Sequence, residues 1–94
     1  MYNNSFKIGD SNTNLGENST ILGGDHNYIS FGAVNISLQG CIGVVVQGDV
    51  VNFVGINIPN YRVIDSSMSN TTIIYGNTKR PVVQIKTADF VVDG

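Results

Sequence analysis

The sequence predicts an all-β protein of short strands wound around a long axis. Glycine stands at positions 16, 24, 32, 40 and 48, a spacing of eight. From 34 to 58 the even positions read Val34, Ile36, Leu38, Gly40, Ile42, Val44, Val46, Gly48, Val50, Asn52, Val54, Ile56 and Ile58. That stretch contains none of the Asn-Gly or Asp-Gly pairs that close tight hairpins. Alternation by two signals strands with one buried face. A short fixed period marks a unit that must stack to bury its apolar side. Glycine lets the chain bend at each unit while the alternation continues.

Residues 1–17 form a polar, Asn-rich segment with Ile8 and Leu15 as its only aliphatics, and 1–14 reads as a frayed start or the cut end of a fragment. Residues 18–58 form the repeat. Ile29 and Phe31 lie on the opposite parity from Ile36 and Leu38, so the phase slips by one near Gly32–Ala33, as at a bulge or corner. Val45, Val51, Phe53 and Cys41 then fall on the outward side. One unit of eight spans roughly 26 Å of extended chain, too little to enclose a filled core. Three interleaved chains, each supplying one face, would close it and place every strand's ladder partners on neighbouring chains. Closure also removes the free edges that a weakly charged, strand-rich chain would expose. The predicted fold is thus an all-β homotrimeric, interwoven (triple-stranded) β-helix.

Pro59 ends the alternation. Residues 59–94 hold Tyr61–Asp65, Thr71–Tyr75, Val82–Thr87 and Phe90–Val92 as short strands separated by loops, one of them the turn Gly76–Pro81. They read as a small C-terminal β cap or tip.

The chain's 94 residues allow one domain at most, or part of a longer chain. Charged residues make up 13%, about half the usual share. A net charge of −2 argues against nucleic-acid binding, which needs clustered Lys and Arg. No apolar run is long enough to insert into a membrane, and no signal peptide is visible. Cys41 is the only cysteine, so no intrachain disulfide forms. The Asn-x-Ser/Thr sequons at Asn3, Asn18, Asn35 and Asn70 are read as products of composition.

The stretch from Asn18 to Asn57, with its succession of Asn-aliphatic-x-aliphatic-x-Gly units, resembles the triple-stranded β-helix of bacteriophage tail fibres and tailspikes. The resemblance implies a homotrimeric shaft near the tip of a virus fibre. Its partners would be copies of itself, other fibre proteins, and a glycan or protein of a bacterial surface.

Candidate receptor contacts are Tyr61, Arg62, Tyr75, Lys79 and Arg80, because Tyr and Arg favour binding surfaces and four of the five basic residues lie beyond Pro59. Asn52, the one polar residue on the even row, is read as facing the trimer axis and fixing register. Asp25-His26-Asn27-Tyr28 is the only crowding of acid, imidazole and phenol; with no second acid in sequence closer than Glu17, it reads as a polar turn. No catalytic residue, metal or cofactor is expected. A fragment of a polysaccharide-degrading tailspike and a monomeric β-solenoid binding module are the two alternatives.

Overall fold

The computed structural model describes residues 4–76, 79 and 82–93. The chain winds into a parallel β-solenoid of about four coils with two sheets. The first sheet orders β1 (Phe6–Asp10), β3 (Thr20–Asp25), β5 (Val34–Gln39), β7 (Val51–Ile56) and β9 (Thr71–Ile74). The second orders β2 (Thr13–Asn14), β4 (Tyr28–Ile29), β6 (Val44–Val46) and β8 (Arg62–Ile64). Every pairing is parallel. Phe6 pairs with Thr20, Thr20 with Ser37, Ser37 with Val54 and Val54 with Thr72, so successive coils take 14, 17, 17 and 18 residues.

This corrects the eight-residue unit. One coil takes two such units, one strand in each sheet, and the ladder partners expected on neighbouring chains lie one coil away in the same chain. The glycine spacing of sixteen falls one short of the seventeen-residue coil, so the glycines are not in ladder register, although Gly32 and Gly48 lie against each other on adjacent coils. The residues in register at this corner are Glu17 beside Val34 and Val34 beside Val51.

Left-handed residues make the corners. Positive φ occurs at Asn4, Ser11, Asn18, His26, Asn35, Asn52, Asn57, Asn60, Tyr61 and Asn70, and among the glycines at Gly9, Gly23, Gly24, Gly32, Gly40 and Gly43. Asn tolerates this region better than other residues with a Cβ. At most of these positions the inward parity shifts by one and the next residue turns into the core; Asn60 and Tyr61, whose successors are exposed, are among the exceptions. Ser19, Asn27, Ile36, Cys41, Val44, Phe53 and Ile58 each follow a left-handed residue and are at most 2% exposed.

The single alternation expected from 34 to 58 is therefore cut into short runs: Ile36 and Leu38, then Cys41, then Val44, Val46 and Val50, then Phe53, then Ile58. Cys41 and Phe53, expected outward, are buried, and Ile42, expected inward, is exposed. The chain does turn at Gly32–Ala33 as expected, with φ +100° at Gly32 and Ala33 buried after it, and a second turn follows at Asn35; Phe31, expected inward with Ile29, is exposed.

The solenoid also extends beyond 18–58 at both ends. Upstream, β1 and β2 join the ladders although their segment is poor in aliphatics, because buried amides replace apolar packing there. Asn12 Nδ2 donates to the Ile8 carbonyl at 2.8 Å, and Asn14 Nδ2 to the Ser19 carbonyl at 2.8 Å. Asn27 Nδ2 donates to the Cys41 carbonyl at 2.8 Å, while Asn27 Oδ1 accepts from the Val44 N–H at 2.9 Å. Among the described residues no buried side-chain N or O atom lacks a partner, as an interior amide requires. The core thus grades from Asn and Ser in the first coils to Ile, Val and Phe in the later ones.

Downstream, Pro59 sits at a corner, and β8 and β9 continue both sheets. Between them a 3₁₀ turn over Ser66–Met68 is closed by Asp65, whose Oδ1 accepts from the Ser67 N–H at 3.0 Å. The strands expected over 82–87 and 90–92 do not form; residues 82–93 carry no regular secondary structure and are exposed. Of the turn expected over Gly76–Pro81, positions 77, 78, 80 and 81 lie outside the described residues.

Candidate functional site

Three of the five candidate contacts gather where the last coil passes from the first sheet to the second. Arg62 opens β8 and pairs with Val44, a residue fully buried in the core. Arg62 thus takes an inward position at the end of its row, where no further coil covers it, and it is exposed. Its Nη1 donates to the Tyr75 hydroxyl at 2.8 Å. Tyr75 directly follows β9 in the opposite sheet, and its ring packs against the core cluster. The pair bridges the two sheets across the C-terminal end. No described carboxylate lies within ion-pair distance of the guanidinium, so its charge faces solvent.

Tyr61 precedes Arg62 with φ +57° and is 74% exposed. A left-handed backbone is an outlier for so bulky a residue. Its ring lies against Gly43, where any Cβ would collide with Cδ1 of the tyrosine. Gly43 itself has φ +66°, so glycine serves both the corner and the ring. Lys79 is exposed and stands apart in sequence from the last strand; Arg80 lies outside the described residues. This corner offers an aromatic face, a hydroxyl and a cation, which suits recognition of a polar ligand bearing acceptors or negative charge.

Asn52 is not in the inward row. It is an exposed left-handed corner residue, because the chain changes phase there and delivers Phe53 to the core instead. Its amide belongs to a surface column. Asn4 Nδ2 donates to Asn18 Oδ1 at 2.8 Å, Asn35 Nδ2 to Asn52 Oδ1 at 3.0 Å, and Asn52 Nδ2 to Asn70 Oδ1 at 2.9 Å. Three of the sequon asparagines, Asn18, Asn35 and Asn70, occupy this column. The sequence carries a signal for it: Asn18, Asn35 and Asn52 are spaced by seventeen, beneath the more conspicuous glycine spacing of eight.

Elsewhere, His26 Nδ1 lies 2.8 Å from Asp25 Oδ1, with both side chains about half exposed. His26 is a left-handed corner residue whose successor, Asn27, enters the core. The Cys41 thiol is buried, and desolvation pushes its pKa above the ordinary thiol value, opposed in part by backbone hydrogen bonds. Among the described residues no three His, Cys, Asp or Glu side chains gather as a metal site would require, and no helix is long and apolar enough to cross a membrane. No family model, curated protein or solved structure matches this chain.

Proposed function

We propose that this chain is a structural and adhesion module: a rigid solenoid that associates sideways into a three-chain shaft of a virus fibre and meets a bacterial surface glycan or protein through its C-terminal corner. The observation that most supports this reading is the outer face of the five-stranded sheet. Its outward rows run Phe6, Thr20, Ser37, Val54, Thr72 and Ile8, Leu22, Gln39, Ile56, Ile74. Neither row contains a charge, and Phe6, Ile8, Leu22 and Ile74 are each 41–52% exposed. An uncharged face that exposes several large apolar side chains suits an interaction site. The buried polar side chains, meanwhile, are spent on holding the coils together, which suits a scaffold.

Multi-angle light scattering tests the assembly: a mass of three chains supports the shaft, and Leu22→Lys with Ile56→Lys should then release single chains. A stable single chain would overturn the trimer. Binding to bacterial surface polysaccharide, with Tyr61→Ala and Arg62→Gln as controls, tests the adhesive corner.

A second reading, a monomeric solenoid acting as a binding module, draws support from the intrachain ladder. The chain satisfies its own strands and seals Ile21, Leu38, Val44, Val46 and Phe53 from solvent without a partner. The two readings share the Tyr61–Arg62 corner and differ in mass alone. An enzymatic role is tested by polysaccharide turnover with Asp25→Asn as the control, and the adhesive reading expects no turnover.

A further inference from the structure

We infer that Lys7 and Arg62 close the two ends of the solenoid against end-on stacking of a second copy of this chain. The backbone by itself invites such stacking. Among the described residues, β1 and β9 border the first sheet, and β2 and β8 the second, each with one edge free of a ladder. Unpaired edges recruit other strands. Because every pairing is parallel, β9 of one copy beside β1 of the next would continue the ladder with strand direction preserved. The asparagine column would continue as well, Asn70 of one copy meeting Asn4 of the next as Asn52 meets Asn70.

The inward rows oppose it. In the first sheet one inward row runs Lys7, Ile21, Leu38, Gly55, Ile73. In the second, Arg62 ends the row that contains Val44, and Asn27 and Asn12 stand above Val44 through their linked amides. The row of the first sheet therefore starts on a cation, and the row of the second sheet ends on one. Interior members of these rows, Ile21, Leu38 and Val44, are 0% exposed. Stacking would carry Lys7 of one copy onto Ile73 of the other and cover Arg62 with Asn12.

Both charges would then lose water with no carboxylate in either row. An unpaired buried charge is among the most unfavourable features a protein interior can hold. At a free end neither charge pays this penalty: Lys7 is exposed, and the Arg62 guanidinium lies across the end on the Tyr75 hydroxyl. The inference does not depend on sideways assembly, because the test compares each variant with the wild type's own mass.

The experiment replaces both cations in the full chain, Lys7→Ile with Arg62→Ile, and follows light scattering and electron microscopy across a concentration series. The wild type should keep one mass and form no rods. The double variant should lengthen into unbranched rods whose diffraction shows a repeat of about 4.8 Å along the rod. The control Lys7→Arg with Arg62→Lys should behave as wild type. Wild-type rods built end on end would overturn the inference, as would a double variant with wild-type circular dichroism that stays at wild-type mass. Should the double variant lose the fold, Lys7→Met with Arg62→Gln, which keeps a polar head for Tyr75, takes its place and is read in the same way.

Discussion

Asn35 and Asn52 sit one coil apart, both with left-handed backbones, and the Asn35 amide donates to the Asn52 carbonyl oxygen at 3.0 Å. The same two residues also set the phase of the chain, since each directs its successor, Ile36 or Phe53, into the core. One residue type thus serves corner geometry and cohesion between coils.

That double role separates two substitutions. Asn52→Ala removes the bonds to Asn35 and Asn70 and forces a Cβ residue without a local amide into the left-handed region, at about 1–3 kcal/mol. Asn52→Gly loses the same bonds but keeps the backbone freedom, so it should cost less. Urea denaturation of both variants checks this; an alanine variant no weaker than the glycine one would show that φ at Asn52 is not left-handed.

Phe53 is fully buried, and a Cβ built on Gly55 would lie 3.0 Å from its ring. Phe53→Ala should cost about 3–5 kcal/mol, comparable to the whole stability of many small domains. Thermal melting should show the variant largely unfolded, while Val51→Ala, on the exposed side of the same strand, stays close to wild type. Equal effects at the two positions would restore the unbroken alternation in which Phe53 points outward.

Gly43→Ala meets two obstacles, a left-handed φ and the Tyr61 ring. The first costs about 1–2 kcal/mol in any context. The second disappears in the double variant with Tyr61→Ala. A double-mutant cycle should therefore show clear coupling between the two positions, and additive effects would mean that the ring does not rest on Gly43.

Cys41 gives a pH signature. Its folded pKa is raised by desolvation, so above the ordinary thiol pKa of about 8.5 the unfolded chain has lost a proton that the folded chain keeps. Stability should fall as pH climbs through that range, and Cys41→Val should remove this component. In native protein at pH 8 the thiol should resist a disulfide reagent that labels it at once in denaturant. Fast native labelling would contradict its burial.

The strand content, the need to stack and the glycine-rich corners were legible in the sequence, because alternation and left-handed tolerance are local properties. Ile36, Leu38, Val44, Val46 and Val50 were placed inward correctly for that reason. Cys41, Phe53 and Asn52 were not, since each lies just past or at a corner where one left-handed residue inverts the parity. Asn and Gly are common throughout this chain, and composition does not mark which of them turn. Of the candidate contacts, Tyr61, Arg62 and Tyr75 were legible as residue types; their meeting was not, because Tyr75 reaches Arg62 from the other sheet.

By itself the sequence determined that this chain is built of short strands with one apolar side, punctuated by residues able to bend left-handed. The tertiary structure alone decided the length of a coil, the partner of each strand and the facing of each corner's neighbour. The physical reason is that a coil closes only when backbone groups seventeen or so residues apart come into hydrogen-bond register. That register is a condition on the wound chain as a whole, and the glycine spacing of eight approaches half of it without satisfying it.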